Sequence, residues 1–307
     1  MKLLSQMWML GYDAFGYTYG HHEGVVDMIR CLDQTFFLRF DSYWVNGNGG
    51  VRAIAGSFGR DAKLEHFLQH IKQDRKPFIE TALEPASEAL ISNALMGHEE
   101  FDVKITVVSC ITEIIRITAP KEPFTEDQME DYFKLVNTAY GKLPSLAGRA
   151  YSKAVSIIQA VSTFHICVLM LDYESHDPVV EMFHLFLDGI QLTHPQEIPL
   201  SMEHIMVLMI QNAGDSEEFV LEAAKILLSA LKKGNENVSS CALQLARNVF
   251  KTCASDLKNC LPEAVRHMGV AVQEFDDVVT SSLHGITQSD DMVCFSSNFA
   301  DYSSMID

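Results

Sequence analysis

An all-α fold built from stacked helix pairs is predicted by three observations. From Asp61 to about Gly285 the apolar residues recur at helical spacing and strand signals are scarce. One apolar pattern, at offsets 0, 4, 7, 8 and 11, returns four times, from Val103, Ala147, Met202 and Val238. Those starts lie 44, 55 and 36 residues apart, a mean of 45. Helix-pair repeats of the HEAT and armadillo type run to about 40–47 residues, so the expected architecture is a divergent α–α superhelix, a solenoid with an irregular N-terminal extension.

Three parts follow: an unassigned extension over 1–60, the helical-repeat domain over 61–285, and a tail over 286–307. The extension holds many aromatics and most of the glycines, including "NGNGG" at 46–50, with no sustained period. In "DAKLEHFLQHIK", Leu64, Phe67, Leu68 and Ile71 fall at i, i+3, i+4 and i+7, one face of a helix. Gly97 is expected to end a helix in the left-handed conformation and Asp102 to cap the next. In "DVKITVVSCITEIIR" the frame Val103, Val107, Cys110, Ile111 and Ile114 is apolar nearly all round. Such a helix suits a place between neighbouring repeats. Its polar stripe, Ser109, Thr112, Glu113 and Arg116, is expected to face the concave surface or solvent.

Ala119-Pro120 ends that helix, because proline restricts the residue before it and cannot continue the ladder. Pro120 and Pro123 then hold the connection extended until "FTEDQM" restarts a helix. Thr125 and Gln128 form a capping box there, with a Phe124–Met129 staple. The second and third frames run Ala147, Tyr151, Ala154, Val155, Ile158 and Met202, Met206, Met209, Ile210, Ala213. Between them, "IIQAVSTFHICVLML" (157–171) reads as a buried helix, too short and too polar to span a bilayer. Gly234 and Asn237 repeat the Gly97/Asp102 arrangement, with Lys232 and Lys233 suited to the negative end of a helix dipole. Val238, Ala242, Leu245, Ala246 and Val249 complete the fourth frame. The Ser- and Asp-rich stretch 288–307 reads as mobile or as a short linear motif.

Composition narrows function. The chain of 307 residues carries 41 acidic and 23 basic side chains, net −18, with no basic run longer than Lys232-Lys233. Nucleic-acid affinity rests largely on phosphate neutralisation by Lys and Arg, so direct binding is not expected and protein partners are. No signal peptide or membrane span is read. The seven cysteines are odd in number and lack a Cys-x-x-Cys pair, which fits a reducing compartment and small apolar side chains.

Chemical motifs are weak. His66 and His70 share a helix face, but His-Glu-x-x-His is absent; an all-helical metalloenzyme is the reading they leave open. "HHE" at 21–23 is weaker still. "GNGGVR" (47–52) lacks the third glycine of a dinucleotide loop, and "GSFG" (56–59) is no nucleophile elbow. His165 and His184 read as hydrogen-bonded core histidines, and the methionines of "MEHIMVLMI" as core filling. No catalytic residue, metal ligand or cofactor is expected, and the function class is a non-enzymatic scaffold.

The stretch "CITEIIRITAPKEPFTEDQM" (110–129) carries more than periodicity. With "FDVKITVVSCI", "CVLMLDYESHDPVVEMFHLFL" (167–187), "SMEHIMVLMI" and "CASDLKNCL" (253–261) in the same order, it resembles the cohesin-regulator family named for precocious dissociation of sister chromatids, plant-type members above all. The resemblance spans about 62–284, the N-terminal helical-repeat portion of much longer proteins, so a truncated paralogue is one expectation. It implies a nuclear regulator of sister-chromatid cohesion, the cell cycle and DNA repair. It also implies docking on cohesin through the kleisin subunit, and contact with cohesin release and protection factors. Part of the kleisin-binding surface is then expected beyond this chain.

The family's Ala-Pro-Asp-Ala segment binds partners. Ala119 and Pro120 match it, whereas Lys121-Glu122 replace Asp-Ala, a departure that bears on the usual short-motif partners. The expected partner-binding residues are Arg116, Ala119, Pro120, Lys121, Pro123 and Phe124, with a rigid inter-repeat loop as the purely architectural alternative. A helical-repeat adaptor unrelated to chromatin is the other functional reading.

Overall fold

The structure is a computed structural model that describes residues 64–65, 68–71, 77–172, 176–214 and 216–287. A lead segment comes first, helical at 64–65 and 68–70. Twelve α-helices follow among the described residues. They are α1 (Pro77–Leu90), α2 (Asn93–Met96), α3 (Phe101–Thr118), α4 (Glu126–Lys142), α5 (Gly148–Thr163) and α6 (Asp177–Gly189). Then come α7 (Glu197–Gln211), α8 (Glu217–Ala230), α9 (Ser240–Thr252), α10 (Ala254–Leu257), α11 (Leu261–Met268) and α12 (Asp277–Thr287). The described residues contain no strand, only an isolated antiparallel bridge between Lys232 and Phe275.

Alternate helices pack side by side. One layer runs α1, α3, α5, α7, α9, α12, and the other runs α4, α6, α8, α11, so each hairpin crosses between layers. This is the HEAT-like helical solenoid that the spacing predicts. A second ruler agrees with the first. Side-chain hydrogen bonds between neighbouring helices of a layer join residues about one repeat apart. Ser109 and Glu65 are 44 apart, Asn137 and Glu181 44, Ser162 and His204 42, Asn248 and Glu203 45.

Most frame positions inside a helix are buried, but Tyr151 and Val155 of α5 are only half-buried. Val103, Val107, Cys110, Ile111 and Ile114 are all in the core, as are Ala154 and Ile158, Met202, Met206, Met209 and Ile210, and Ala242, Leu245, Ala246 and Val249. Ala147, Ala213 and Val238 fall just outside their helices and are more exposed, because each frame starts before its helix or ends after it. Of the eighteen residues of α3, fourteen are buried. The helix is enclosed by α1 and α5 beside it, α2 and α4 from the other layer, and the lead segment.

Several local expectations are corrected. Gly97 has φ −85°, not left-handed; it is glycine where a Cβ would come 2.8 Å from the Asn93 carbonyl oxygen. Glu100 occupies the cap position of α3, and Asp102 lies in its first turn, where a carboxylate still suits the dipole. Gly234 is left-handed at φ +74°, but α9 is capped by Ser239, whose hydroxyl accepts from the Ala242 N–H at 3.1 Å; Asn237 precedes it. Lys233 meets Asp277 at 3.0 Å instead of a helix end.

The run 157–171 is not one helix. It bends by 67° after Thr163, through His165 at φ +56°, into a 3₁₀ segment over Ile166–Asp172. Histidine is among the side chains that enter the left-handed region most readily. The bend lays the second half against α3, α5 and α7, so Ile166 through Met170 stay buried. No single described helix is long and apolar enough to cross a membrane.

Candidate partner-docking site

The candidate loop joins α3 to α4 and is built by the rules of its own residues. Ala119 closes α3 with its N–H on the Ile115 carbonyl at 3.1 Å, then turns to φ −53°, ψ 140°, the extended geometry a following proline imposes. The Ala119–Pro120 peptide bond is cis. The Lys121 N–H donates to the Thr118 carbonyl at 3.0 Å, completing the turn. At the far end Gln128 Oε1 accepts from the Thr125 N–H at 2.9 Å within the predicted capping box. Phe124 and Met129, the staple pair, are both buried.

Between these anchors the loop is presented outward. Pro120, Lys121 and Glu122 are exposed and Pro123 is half-buried. Lys121 reaches across to Glu80 on α1 at 2.5 Å, with 65% of its side chain still exposed. A pair this open contributes about 1 kcal/mol at most. The result is a stiff ridge of two proline rings flanking a cation and an anion.

The six expected residues therefore divide. Pro120, Lys121 and Pro123 form the accessible ridge. Ala119 and Phe124, 4% and 7% exposed, are its footings. Arg116 is buried and committed elsewhere. Its Nε donates to Glu113 Oε2 at 2.6 Å, its Nη2 to the Leu68 and Ile71 carbonyls at 2.9 Å each, and its guanidinium lies 5.5 Å from the Phe164 ring centroid. Its acidic and backbone acceptors thus lie inside its own chain.

The polar stripe around Arg116 does not face solvent. Ser109 donates to Glu65 Oε1 at 2.7 Å; Thr112 bonds the Val108 carbonyl and the Tyr132 hydroxyl, at 2.7 and 2.8 Å. Glu65 in turn pairs with Lys153 of α5, both under 8% exposed. Beside His66 and His70, Glu65 reads from the sequence as part of a solvated face; it is buried instead, and Lys153 was not foreseen. The signal was available: Glu65, Ser109 and Lys153 stand at successive 44-residue positions.

Burial pushes the Cys167 and Cys253 thiols up to about 12 and Cys260 up to about 11, so these three remain protonated near neutral pH. His165 is half-buried, not a core residue; its ring meets that of His204 edge-on at 5.4 Å, and burial lowers both above all. His184 is exposed. The described residues hold no group of three or more His, Cys, Asp or Glu placed to bind a metal ion. His66, "HHE", "GNGGVR" and "GSFG" lie outside the described residues, as do the 1–60 extension and the 288–307 stretch.

Residues 60–267 match the family described as sister chromatid cohesion protein PDS5. The chain belongs to the PDS5 family. Among curated relatives, PDS5 homolog E of Arabidopsis thaliana is 38% identical over 218 residues, covering 71% of this chain and 22% of that protein. Homolog D of the same plant is 37% identical over 219 residues, 71% and 26% respectively. The pds5 protein of Schizosaccharomyces pombe is 24% identical over 213 residues, 67% and 17%. This PDS5-family chain thus spans about a quarter of the length of its plant relatives. A chain in a solved structure of a Pds5–Scc1 complex superposes with TM-score 0.59 at 22% identity, over 68% of this chain and 32% of that one. That likeness shows the fold. The proline loop lies inside the matched region.

Proposed function

We propose that this PDS5-family chain is a non-enzymatic scaffold that regulates cohesin in the nucleus, acting in sister-chromatid cohesion and DNA repair by docking proteins. Its partners are the cohesin kleisin and the factors that release or protect cohesin. Family membership supports the setting, and the superposed relative's complex with Scc1 supports the kleisin as partner class. The observation that carries a docking role is the proline ridge. Pro120, Lys121 and Pro123 are displayed on a loop whose ends are fixed by Ala119, Phe124 and the Thr125–Gln128 box. A loop stiffened before binding loses less entropy when a peptide settles on it. Lys121 and Glu122 give that peptide a charge preference that an Asp-Ala pair would not.

The structure decides which substitutions test this. Ala119 is buried, so altering it would disturb the fold. Pro120→Glu with Lys121→Glu changes the exposed ridge alone. Capture of cohesin subunits from nuclear extract by the double variant should fall at least tenfold while helicity stays at the unaltered level. Undiminished capture rejects the ridge as the docking surface.

A further inference from the structure

Two buried side-chain atoms have no hydrogen-bond partner among the described residues, Asn137 Oδ1 and the Tyr140 hydroxyl, both on α4. They differ in kind. The Asn137 amide is already held from its other end, where Nδ2 donates to the Pro178 carbonyl at 2.8 Å and to Glu181 Oε2 at 2.9 Å. Tyr140 is placed by packing. Its ring lies 5.1 Å from that of Phe186 on α6, and the residue is 1% exposed. The hydroxyl has one proton to give and lone pairs to accept with. Burial above all, then Tyr132 and Cys167, hold it well above the usual tyrosine range, so it keeps that proton near neutral pH.

Those two neighbours supply what the Tyr140 hydroxyl lacks. Thr112 of α3 has a single hydroxyl proton, which goes to the Val108 carbonyl at 2.7 Å. The 2.8 Å bond between Thr112 and Tyr132 is therefore donated by Tyr132. Its own proton spent, the Tyr132 oxygen remains an acceptor. Cys167, in the 3₁₀ segment after the bend, is fully enclosed, and its sulfur accepts weakly.

Buried polar groups in folded proteins are bonded to protein or to ordered water, and a buried water takes about two to four polar partners. Three are present here. All are uncharged, which does not suit a metal ion, and an apolar occupant would leave the hydroxyl unpaired. We propose that one buried water molecule accepts the Tyr140 proton and donates to the Tyr132 oxygen and the Cys167 sulfur. It joins α4 to the 3₁₀ segment and extends the Val108–Thr112–Tyr132 chain of hydrogen bonds across both layers. This site stands whether or not the proline ridge binds cohesin.

The full chain and its Tyr140→Phe variant test it. Phenylalanine keeps the ring that packs on Phe186, so the fold is retained. In a denaturant titration the variant's folding equilibrium constant should be about fivefold lower, the loss of one buried hydrogen bond. A variant of equal or greater stability means that the hydroxyl had no partner, and it overturns the proposal. The second readout is direct. A high-resolution crystal structure of the unaltered chain should show one water about 2.5–3.0 Å from the Tyr140 oxygen, lost in the variant. Solvent relaxation dispersion should count one fewer long-lived water in the variant. A Tyr140 hydroxyl bonded to a protein group in place of water overturns the proposal. So does a water that touches neither Tyr132 nor Cys167, or one that persists in the Phe variant.

Discussion

At the residue scale the buried cations decide most. Lys153 and Arg116 are positioned by α5 and α3, yet each is satisfied from the lead segment. Breaking a buried pair by removing one member leaves an uncompensated charge, which costs about 3–5 kcal/mol, whereas replacing both members by apolar groups is often close to neutral. Lys153→Met should therefore lower unfolding free energy by about 3–5 kcal/mol in a denaturant titration. Adding Glu65→Leu should recover most of that loss. If the double variant is as weak as the single one, the pair is not what orders this corner. Arg116 illustrates the limit of reading residues singly. The sequence shows a cation beside a proline loop, but not that its acceptors stand 45 and 48 positions earlier.

At the element scale, caps and breaks follow local chemistry where the deciding residues are adjacent. The capping box at Thr125 and Gln128 was legible because both partners lie within four residues. The lock on α12 was not. Asp276 accepts from the Val278 N–H at 3.1 Å and from Arg247 of α9 at 2.6 Å, joining two helices distant in sequence. The Arg247 hydrogen bond is the main reason the Asp276 carboxyl is held below its ordinary range, with smaller help from that N–H and from Lys233. A depressed carboxylate contributes stability that is complete above the unfolded value, about pH 4, and is lost as pH falls through the lower folded value. The unaltered chain should thus exceed Asp276→Asn by about 1 kcal/mol at neutral pH, and the gap should close below about pH 4. Paired thermal melts across that range check it; a gap that persists in acid would mean the charge is not the cause.

At the scale of the whole molecule the two layers share one core, and its stability runs from neighbour to neighbour. Phe183 of α6 is fully enclosed and meets the Phe219 ring of α8 edge-on at 5.9 Å. Phe183→Ala should cost about 3–5 kcal/mol, from lost transfer energy and the cavity left behind. Because repeats touch only their neighbours, amide protection should fall most in α4, α6 and α8 and least in the lead segment and α1. A uniform loss along the chain would argue for a single indivisible unit instead.

The apolar period is a local property, so the residues themselves dictated helices, their approximate ends, the 45-residue repeat and hence the stacked architecture. The exposed proline ridge was also foreseeable, since two prolines three positions apart exclude a helix between them. Only the tertiary structure decided which polar residues are enclosed. The stripe Ser109, Thr112 and Arg116 looks solvent-facing along the helix, but Glu65 meets Ser109, the carbonyls of Leu68 and Ile71 meet Arg116, and Tyr132 of α4 meets Thr112. Burial of a charge depends on a partner that arrives from a distant repeat, and periodicity along one helix carries no information about that arrival.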